Sequence, residues 1–263
     1  MIHAAAAVLV IAHGSPDPGW MERVEAAIRP CRSKMPIRVA YLGGTDGRGI
    51  ADEVARLERE GVETIAAVPL FVTAGSTHIS EIRGMLGLRP DGIVPKAIQP
   101  VSTRVRFLWC PPLEDHPLVE RILSERVQRL SVDPCRESLL LIGHGSDLPG
   151  YRERWELLLH RLTSRLQNRY GFSAAGYATL RPDTVAARAR QLAACGELIA
   201  LPLFVSQGYF TRRALPQRLA GIPYRYDGRA YLPHPLISEW IVQSAKAAFL
   251  TDEMMGIGQG TET

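Results

Sequence analysis

The amino-acid sequence predicts an α/β protein made of two repeated, doubly wound domains, each with a parallel sheet of four strands. Two observations lead to this fold class. Matching segments recur in the same order in the two halves of the 263-residue chain, and apolar runs rich in Val, Ile and Leu alternate with helical patterns. Such runs are typical of parallel strands that helices cover on both faces.

Two anchor segments carry the repeat. A strand pattern that ends in His-Gly-Ser occupies residues 8–15 and recurs at residues 139–146. The sequence VPLFV at residues 68–72 recurs as LPLFV at residues 201–205. Two anchors at nearly the same spacing indicate an internal duplication.

A third similarity helps to divide the halves. His116 and His234 each precede a proline at a predicted helix start, where the imidazole either caps the helix or lines the ligand site. The halves therefore meet between residues 128 and 137. We predict an N-terminal domain over residues 1–132 and a C-terminal domain over residues 133–263.

Apolar runs and helical periodicity place the individual elements in order. The predicted strands are residues 7–12, 37–42, 64–70, 105–109, 138–143, 173–179, 197–203 and 229–232. The clearest helical patterns are residues 50–60, 80–86, 117–130 and 184–194. Four strands in each half give two sheets of the same kind.

The composition excludes several classes of protein. The 31 basic and 27 acidic side chains are interspersed, which argues against nucleic acid, and the mild excess of +4 suits a polyanionic small molecule. No apolar run is long enough for a membrane helix. The four cysteines are far apart, so we expect neither a disulfide scaffold nor a zinc site. This use of cysteine fits a reducing compartment, and we expect a cytoplasmic location. The glycine-rich residues 43–49 lack the order of a phosphate loop, so no nucleotide is expected.

Candidate chemistry lies where apolar strands end, because ligands of parallel sheets bind outside the carboxyl ends of the strands. His13, residues 75–78, His144 and residues 208–211 occupy such places. The imidazoles of His13 and His78 are too few for a closed structural zinc site and suit an open site that holds a metal briefly. His13 and His144 could instead only hydrogen-bond the loops that follow their strands.

Glu81 follows His78 by three positions and shares its helical face. It could orient the imidazole or accept a proton from a substrate. The alternative is that Glu81 compensates the dipole in the first turn of the helix.

The order of these motifs resembles that of the sirohydrochlorin chelatases of the CbiX/SirB family in their long, two-domain form. The resemblance is carried by strand-His-Gly-Ser, by VPLFV and by the AGxxHxxEI pattern behind it, and it extends over residues 7–245. It implies a chelatase-like fold and a lyase of siroheme or cobalamin biosynthesis, branches of porphyrin biosynthesis, that inserts Co²⁺ or Fe²⁺ into sirohydrochlorin. Ni²⁺ is a third candidate metal.

The resemblance also implies roles for individual residues. His13 and His78 match the family histidines that bind the metal and take part in pyrrole deprotonation. Thr211 stands where the second half would have its counterpart of His78, so chemistry is expected in the N-terminal domain. The C-terminal domain is expected to form the opposite wall of the cleft, although its two aromatic residues could instead pack on the core. The tetrapyrrole contacts that we predict are Ser15, Gly75, Ser76, Thr77, His144, Tyr209 and Phe210.

One family feature is missing. A glutamate commonly follows the second strand in the family, and Gly43 stands at about that place. Asp46 or Glu81 could substitute, and we predict Glu81 as the third catalytic residue beside His13 and His78. Arginines that could pair with substrate carboxylates, or that are ordinary surface charges, are Arg104, Arg106, Arg181, Arg212 and Arg213.

Two other functions stay open. The same site could store or deliver a metal or tetrapyrrole without turnover, or the protein could be a diverged enzyme of the family with a changed substrate. The expected small-molecule partner is a tetrapyrrole, with no nucleic acid or membrane partner. We expect a monomer or a homodimer.

Overall fold

The structure, a computed structural model, describes residues 5–15, 17–31, 33–43, 47–92 and 98–258. Its strands are β1 (Ala6–Ala12), β2 (Ile37–Tyr41), β3 (Thr64–Pro69), β4 (Arg106–Trp109), β5 (Glu137–Gly145), β6 (Ala174–Arg181), β7 (Glu197–Pro202) and β8 (Tyr224–Arg225). Its helices are α1 (Pro18–Ile28), α2 (Ile50–Arg59), α3 (Thr77–Met85), α4 (Pro117–Leu130), α5 (Tyr151–Tyr170), α6 (Val185–Ala193), α7 (Leu215–Arg218) and α8 (Pro235–Gly258). A 3₁₀ turn lies at Pro134–Arg136 and a π-helical turn at Phe210–Ala214. None of the helices described is long and apolar enough to cross a membrane.

The strands form two parallel sheets with the same topology, β2-β1-β3-β4 and β6-β5-β7-β8. In the first sheet Val10 pairs with Val39 on one side and with Val68 on the other. In the second sheet Leu141 is flanked by its partners in β6 and β7 in the same way. The predicted fold class, two repeated α/β domains with parallel four-stranded sheets, is confirmed.

The central strand of each sheet explains the continuous apolar runs. All seven residues of β1 are buried, and residues 139–142 of β5 are fully buried. A central parallel strand has helices on both faces, so none of its positions can turn to water. Burying each Leu or Ile side chain contributes about 1.5–3 kcal/mol, which makes these strands the core of their sheets.

The two His-Pro pairs begin matching helices. At the start of α4, Nδ1 of His116 accepts a hydrogen bond from the backbone N–H of Leu118 at 3.2 Å. At the start of α8, Nδ1 of His234 accepts from the N–H of Leu236 at the same distance. These imidazoles cap N–H groups that the first helical turn leaves unpaired, so the capping interpretation is confirmed.

The last predicted strand is misplaced, whereas the others are found with ends shifted by one or two residues. The eighth strand is Tyr224–Arg225, not residues 229–232. The buried residues Tyr231 and Leu232 instead form an irregular segment whose N–H groups bond to the carbonyls of Phe204 and Val205. Their apolar character reflects burial beside the end of β7, and burial alone does not distinguish a strand from a packed loop.

The contacts divide the chain into two compact units. Unit 1 contains Met1–Phe71, Thr77–Leu113 and Ile237–Thr263, and unit 2 contains Val72–Ser76 and Glu114–Leu236. The helix α4 therefore belongs to unit 2, and all but the start of α8 belongs to unit 1. The two units of the structure therefore do not coincide with the two repeats of the sequence. The last helix of each repeat is exchanged, because it belongs to the unit that the other repeat mainly forms.

Side-chain contacts tie each exchanged helix to its unit. In unit 1 the hydroxyl of Ser238 donates to the carbonyl of Ala27 at 2.5 Å, and Arg106 forms a two-pronged ion pair with Asp252. In unit 2 the buried Arg126 of α4 donates to the carbonyl of Pro202 at 2.9 Å. The exchange is thus held by hydrogen bonds as well as by apolar packing.

Candidate functional site

In unit 1 two histidines meet at the carboxyl edge of the sheet. His13 follows β1 directly, and His78 is the second residue of α3, which begins after the loop behind β3. Their ring centroids lie 4.6 Å apart with the planes at 72°. The parallel order of β1 and β3 brings both residues to one edge, as the strand-end argument predicts.

Hydrogen bonds fix the orientation of both imidazoles. Nδ1 of His13 lies 2.8 Å from the carbonyl oxygen of Gly14, and Nδ1 of His78 lies 3.1 Å from Oε2 of Glu81. A carbonyl or carboxylate can only accept, so in the neutral rings Nδ1 carries the hydrogen and Nε2 carries the lone pair. His13 therefore does bond its own loop, as the alternative interpretation holds, and still presents Nε2 as a metal ligand or proton acceptor.

Glu81 contacts His78 as its spacing predicts. The helix begins at Thr77, three residues earlier than the predicted start, so Glu81 lies beyond the first turn, which holds no acidic residue. Compensation of the helix dipole acts within that first turn. The contact with the imidazole is therefore the better supported interpretation of Glu81.

Gly75 has a packing role. A Cβ atom at this position would lie 2.7 Å from the ring of Trp155 and 2.9 Å from the carbonyl oxygen of Tyr151. A glycine is needed because the loop runs directly against α5 within unit 2. Ser76 and Thr77 are partly exposed, whereas the hydroxyl of Ser15 accepts from the N–H of Asp17, the residue that caps α1.

Glu114 is a residue of this region that the sequence analysis missed. Its carboxylate accepts from the N–H of Ala74 at 2.6 Å and from the hydroxyl of Thr73 at 3.1 Å. Burial raises the pKa of the Glu114 carboxyl group. In the second repeat Leu232 occupies the corresponding place. A carboxylate at a position that is apolar in the other repeat was a signal for a buried polar contact, but it did not identify the partners of Glu114.

The loop at Gly43 packs directly against the loop that follows His13. The N–H of Gly43 donates to the carbonyl of His13 at 3.0 Å, and a Cβ atom at Gly14 would lie 2.6 Å from the carbonyl oxygen of Gly43. The two loops therefore touch through their backbones. Asp46 lies outside the described residues, so Glu81 is the carboxylate that the structure places at the histidine pair.

Unit 2 has the same arrangement with one ring exchanged. Nδ1 of His144 lies 3.0 Å from the carbonyl oxygen of Gly145, and the His144 ring centroid lies 5.2 Å from that of Phe210, with the planes at 87°. Phe210 also stacks on Phe204 at 5.6 Å, as His78 lies 6.3 Å from Phe71 in unit 1. Phe210 is therefore the counterpart of the His78 ring.

The sequence alignment of His78 with Thr211 is corrected by this geometry. Thr211 is 1% exposed, and its hydroxyl accepts from the N–H of Gly208. The chain here forms the π-helical turn Phe210–Ala214, whereas α3 is a regular helix. Phe210 follows Phe204 by six positions, whereas His78 follows Phe71 by seven, so the ring at the sheet edge comes one position earlier in unit 2, at the first residue of the π turn.

The two predicted aromatic contacts of unit 2 lie at the surface. Tyr209 is 64% exposed and Phe210 is 38% exposed, with ring centroids 5.6 Å apart. The alternative, that they pack on the core, does not hold for Tyr209, whereas Phe210 stacks on the buried Phe204 and is otherwise exposed. Exposed aromatic pairs are unusual enough to suggest a binding surface.

The predicted arginines mostly have partners at the surface. Arg106 pairs with Asp252, Arg181 lies 3.3 Å from Asp147, and Arg212 approaches Gln207. Surface pairs of this kind contribute little to stability and can exchange partners. A contact of these arginines with a substrate carboxylate stays a prediction.

The donor set of the site is small. Across the described ranges, no group of three or more His, Cys, Asp or Glu side chains is arranged to hold a metal ion. The two Nε2 atoms of His13 and His78 are therefore the nitrogen ligands that unit 1 offers. A site with two protein ligands leaves coordination positions for another molecule.

Comparisons with known proteins agree with this fold. A sequence profile of the CbiX family matches residues 7–130 and again residues 138–248. SirB from Bacillus subtilis with Fe³⁺ is similar with a TM-score of 0.73 and 16% identity, over 94% of this chain and 97% of that chain. SirB from Bacillus subtilis subspecies spizizenii in complex with cobalt gives 0.66 and 15%, over 92% and 94%. A CbiX described as the terminal enzyme for siroheme biosynthesis in denitrifying bacteria gives 0.63 and 24%, over 92% and 99%. No curated protein sequence matches the chain.

Proposed function

We propose, from the premise that this chain belongs to the CbiX family, that it inserts Co²⁺ or Fe²⁺ into sirohydrochlorin, with Ni²⁺ as a third candidate. The observation that carries the proposal is the pair of contacting imidazoles, His13 and His78, whose Nδ1 atoms are both engaged. Two oriented Nε2 lone pairs at a sheet edge are suited to hold a divalent metal and to accept protons.

Metal insertion requires a weak hold on the metal. Two imidazole ligands leave most coordination positions of a divalent ion open, so the pyrrole nitrogens of a substrate can replace water and then the protein ligands. A site with four protein ligands would bind the metal too firmly to release it. The small donor set of unit 1 is therefore an advantage for this reaction.

The reaction must also remove two protons from the pyrrole N–H groups. Each Nε2 atom becomes free as the metal moves to the macrocycle, and it can then accept one of these protons. The Nδ1–H of His78 points to the carboxylate of Glu81, which compensates the positive charge of a protonated ring. We assign metal capture and the acceptance of one proton to each histidine, with Glu81 favouring the protonated form of His78.

Unit 2 offers an aromatic surface for the tetrapyrrole. Tyr209 and Phe210 are exposed and in contact with each other. Flat conjugated macrocycles pack well against aromatic rings, and an apolar Phe210 beside His144 does not compete for the metal. We propose this pair as a tetrapyrrole contact, with His144 as its polar neighbour.

A delivery protein without turnover is the second candidate function. The observation that favours it is Gly43, which leaves backbone where the family commonly has a glutamate. Loss of a carboxylate beside the metal would slow proton removal more than metal binding. Binding could then survive without catalysis.

A titration of sirohydrochlorin in the visible spectrum separates these functions. A spectral change that needs added Co²⁺ or Fe²⁺ and exceeds one equivalent per protein supports insertion. A stoichiometric change without metal supports delivery, and no change with either metal supports a different substrate. The proposed activity requires His13→Ala to lose about 10²-fold or more in rate.

The matched control is His160→Ala. His160 is an exposed histidine on α5 with no part in the proposed mechanism, and its removal should leave the rate unchanged. Equal losses in both variants would refute the assignment of His13. Thermal melting of both variants checks that the fold is intact.

A further inference from the structure

A cavity of about 330 Å³ lies within unit 2. One wall is a single face of α4, formed by residues spaced as i, i+3, i+4 and i+7: Ile122, Glu125, Arg126 and Arg129. The opposite wall comes from the segment that precedes α8, including Arg229 and His234. The cavity is large enough for a small molecule and too small for a tetrapyrrole macrocycle.

The charged groups of the cavity divide into paired and unpaired ones. Nε2 of His234 lies 3.0 Å from the carboxylate of Glu125, and Arg126 lies 3.0 Å from that of Asp227. Within the part of the chain that the structure describes, the guanidinium groups of Arg129 and Arg229 have no such partner. The lining therefore carries three arginines against one glutamate.

Arg126 adds a buried cation beneath this surface. Its side chain is 4% exposed and donates to the carbonyl of Pro202, yet no described residue accepts from its Nε. A buried N–H group without an acceptor is costly, and a ligand or water that accepts from it would stabilise the site. Asp227 offsets the charge of Arg126, so the cavity offers one buried N–H donor and the two cations Arg129 and Arg229 beside an apolar floor that includes Leu232.

The equivalent helix of unit 1 has no arginines at these positions. The equivalent helix α8 starts at its own His-Pro pair, and 118 positions beyond Arg126 and Arg129 it carries Ser244 and Ala247. The same scaffold thus exists in unit 1 with neutral side chains. Arg126 also anchors α4 through Pro202 and Asp227, whereas Arg129 and Arg229 are exposed cations of this cavity without such a structural contact in the described part of the chain, and these two point to a ligand.

We propose that this cavity binds a small oxyanion, a carboxylate or a phosphate, between Arg129 and Arg229. Planar guanidinium groups form paired hydrogen bonds with both kinds of anion, and two of them around an apolar floor hold an anion more firmly than isolated surface arginines do. A carboxylate could belong to a separate small molecule or to a peripheral arm of a tetrapyrrole. The site is distinct from the histidine pair of unit 1.

The test is isothermal titration calorimetry of the full chain with inorganic phosphate and with citrate at low ionic strength. We expect saturable binding of one equivalent of at least one probe. Arg129→Gln and Arg229→Gln should each weaken it about tenfold, because each removes a charge-assisted contact. Competition by sirohydrochlorin identifies a tetrapyrrole arm as the source of the carboxylate, and no competition identifies a separate small molecule.

The matched control is Arg121→Gln on the same helix. Arg121 is exposed and lies outside the lining of the cavity, so its loss should leave binding unchanged. His13→Ala should also bind the probe as the unmodified protein does. Absence of saturable binding for both probes, or equal weakening by Arg121→Gln, would overturn the proposal.

Discussion

The two units differ in one ring at otherwise matching sites. In unit 1 His13 faces the edge of His78, and in unit 2 His144 faces Phe210 in the same T-shaped manner. Both first histidines bond the carbonyl of the following glycine through Nδ1. The comparison teaches that the duplicated scaffold fixes the geometry of two rings, whereas the identity of the second ring decides whether the edge offers one imidazole or two.

The largest expected effect comes from making unit 1 resemble unit 2. His78→Phe removes one Nε2 and the partner of Glu81 while keeping an aromatic ring at the edge. Under the proposed function the rate of metal insertion should fall by about 10²-fold or more. The measurement is the visible-spectrum assay with Co²⁺, and thermal melting should show a folded protein. A turnover near that of the unmodified protein would contradict the role of His78.

The reverse change should create a second metal site. Phe210→His places an imidazole 5.2 Å from His144 by ring centroids, and the stoichiometry of Co²⁺ binding should rise from one to two per chain. Binding there should be about tenfold weaker than in unit 1, because Arg213 and Ala214 stand where unit 1 has Glu81. Calorimetry with Co²⁺ measures both sites.

Thr211→His is the control for that experiment. It changes the residue that sequence alignment pairs with His78, but Thr211 is buried and turned away from His144. We expect no second site and a lower melting temperature. A second site in Thr211→His rather than in Phe210→His would contradict the assignment of Phe210 as the counterpart of His78.

Glu81→Gln tests the contact that unit 2 lacks. Glutamine can still accept from Nδ1 of His78, but it cannot compensate a charged ring, so insertion should slow about tenfold while the fold is kept. Glu22→Gln on the exposed side of α1 is the control and should have no effect. An unchanged rate in Glu81→Gln would remove Glu81 from the mechanism.

Gly75 and Gly208 are corresponding glycines with different surroundings. Gly75→Ala should lower the free energy of unfolding by about 1–3 kcal/mol, because its Cβ would clash with Trp155. Gly208→Ala meets no atom within 4 Å and should change stability by less than about 1 kcal/mol. Denaturant unfolding of both variants measures the difference, and equal effects would contradict the packing role of Gly75.

The smallest expected effect concerns Glu114 and its apolar counterpart Leu232. Because burial raises the pKa of Glu114 in the folded protein, its stabilising contribution is complete at low pH and declines as pH rises through that pKa. The stability of the protein relative to Glu114→Gln should therefore fall as the pH rises above the ordinary pKa of a glutamate, about 4.3. A difference that does not vary with pH would contradict this burial effect.

The sheets and the histidine pair could be predicted from the sequence, because each strand and the residue that follows it are marked by a local pattern. The run before His13 had to be a buried strand, and a strand end fixes where the next side chain lies. Three features could not be predicted in this way. The position of Phe210 depends on a π-helical turn, the contact of Glu114 depends on a distant loop, and the exchange of α4 and α8 depends on packing that neither repeat contains by itself.

The helix exchange has a consequence for the order of folding. Unit 1 carries the histidine pair near the start of the chain, yet it includes Ile237–Thr263. During synthesis the first unit must wait for this segment, while unit 2 already has all its parts once Leu236 has emerged. Shortening the chain from its carboxyl end would therefore damage the unit that also contains the start of the chain, and the histidine pair that is synthesised first belongs to the unit that is completed last.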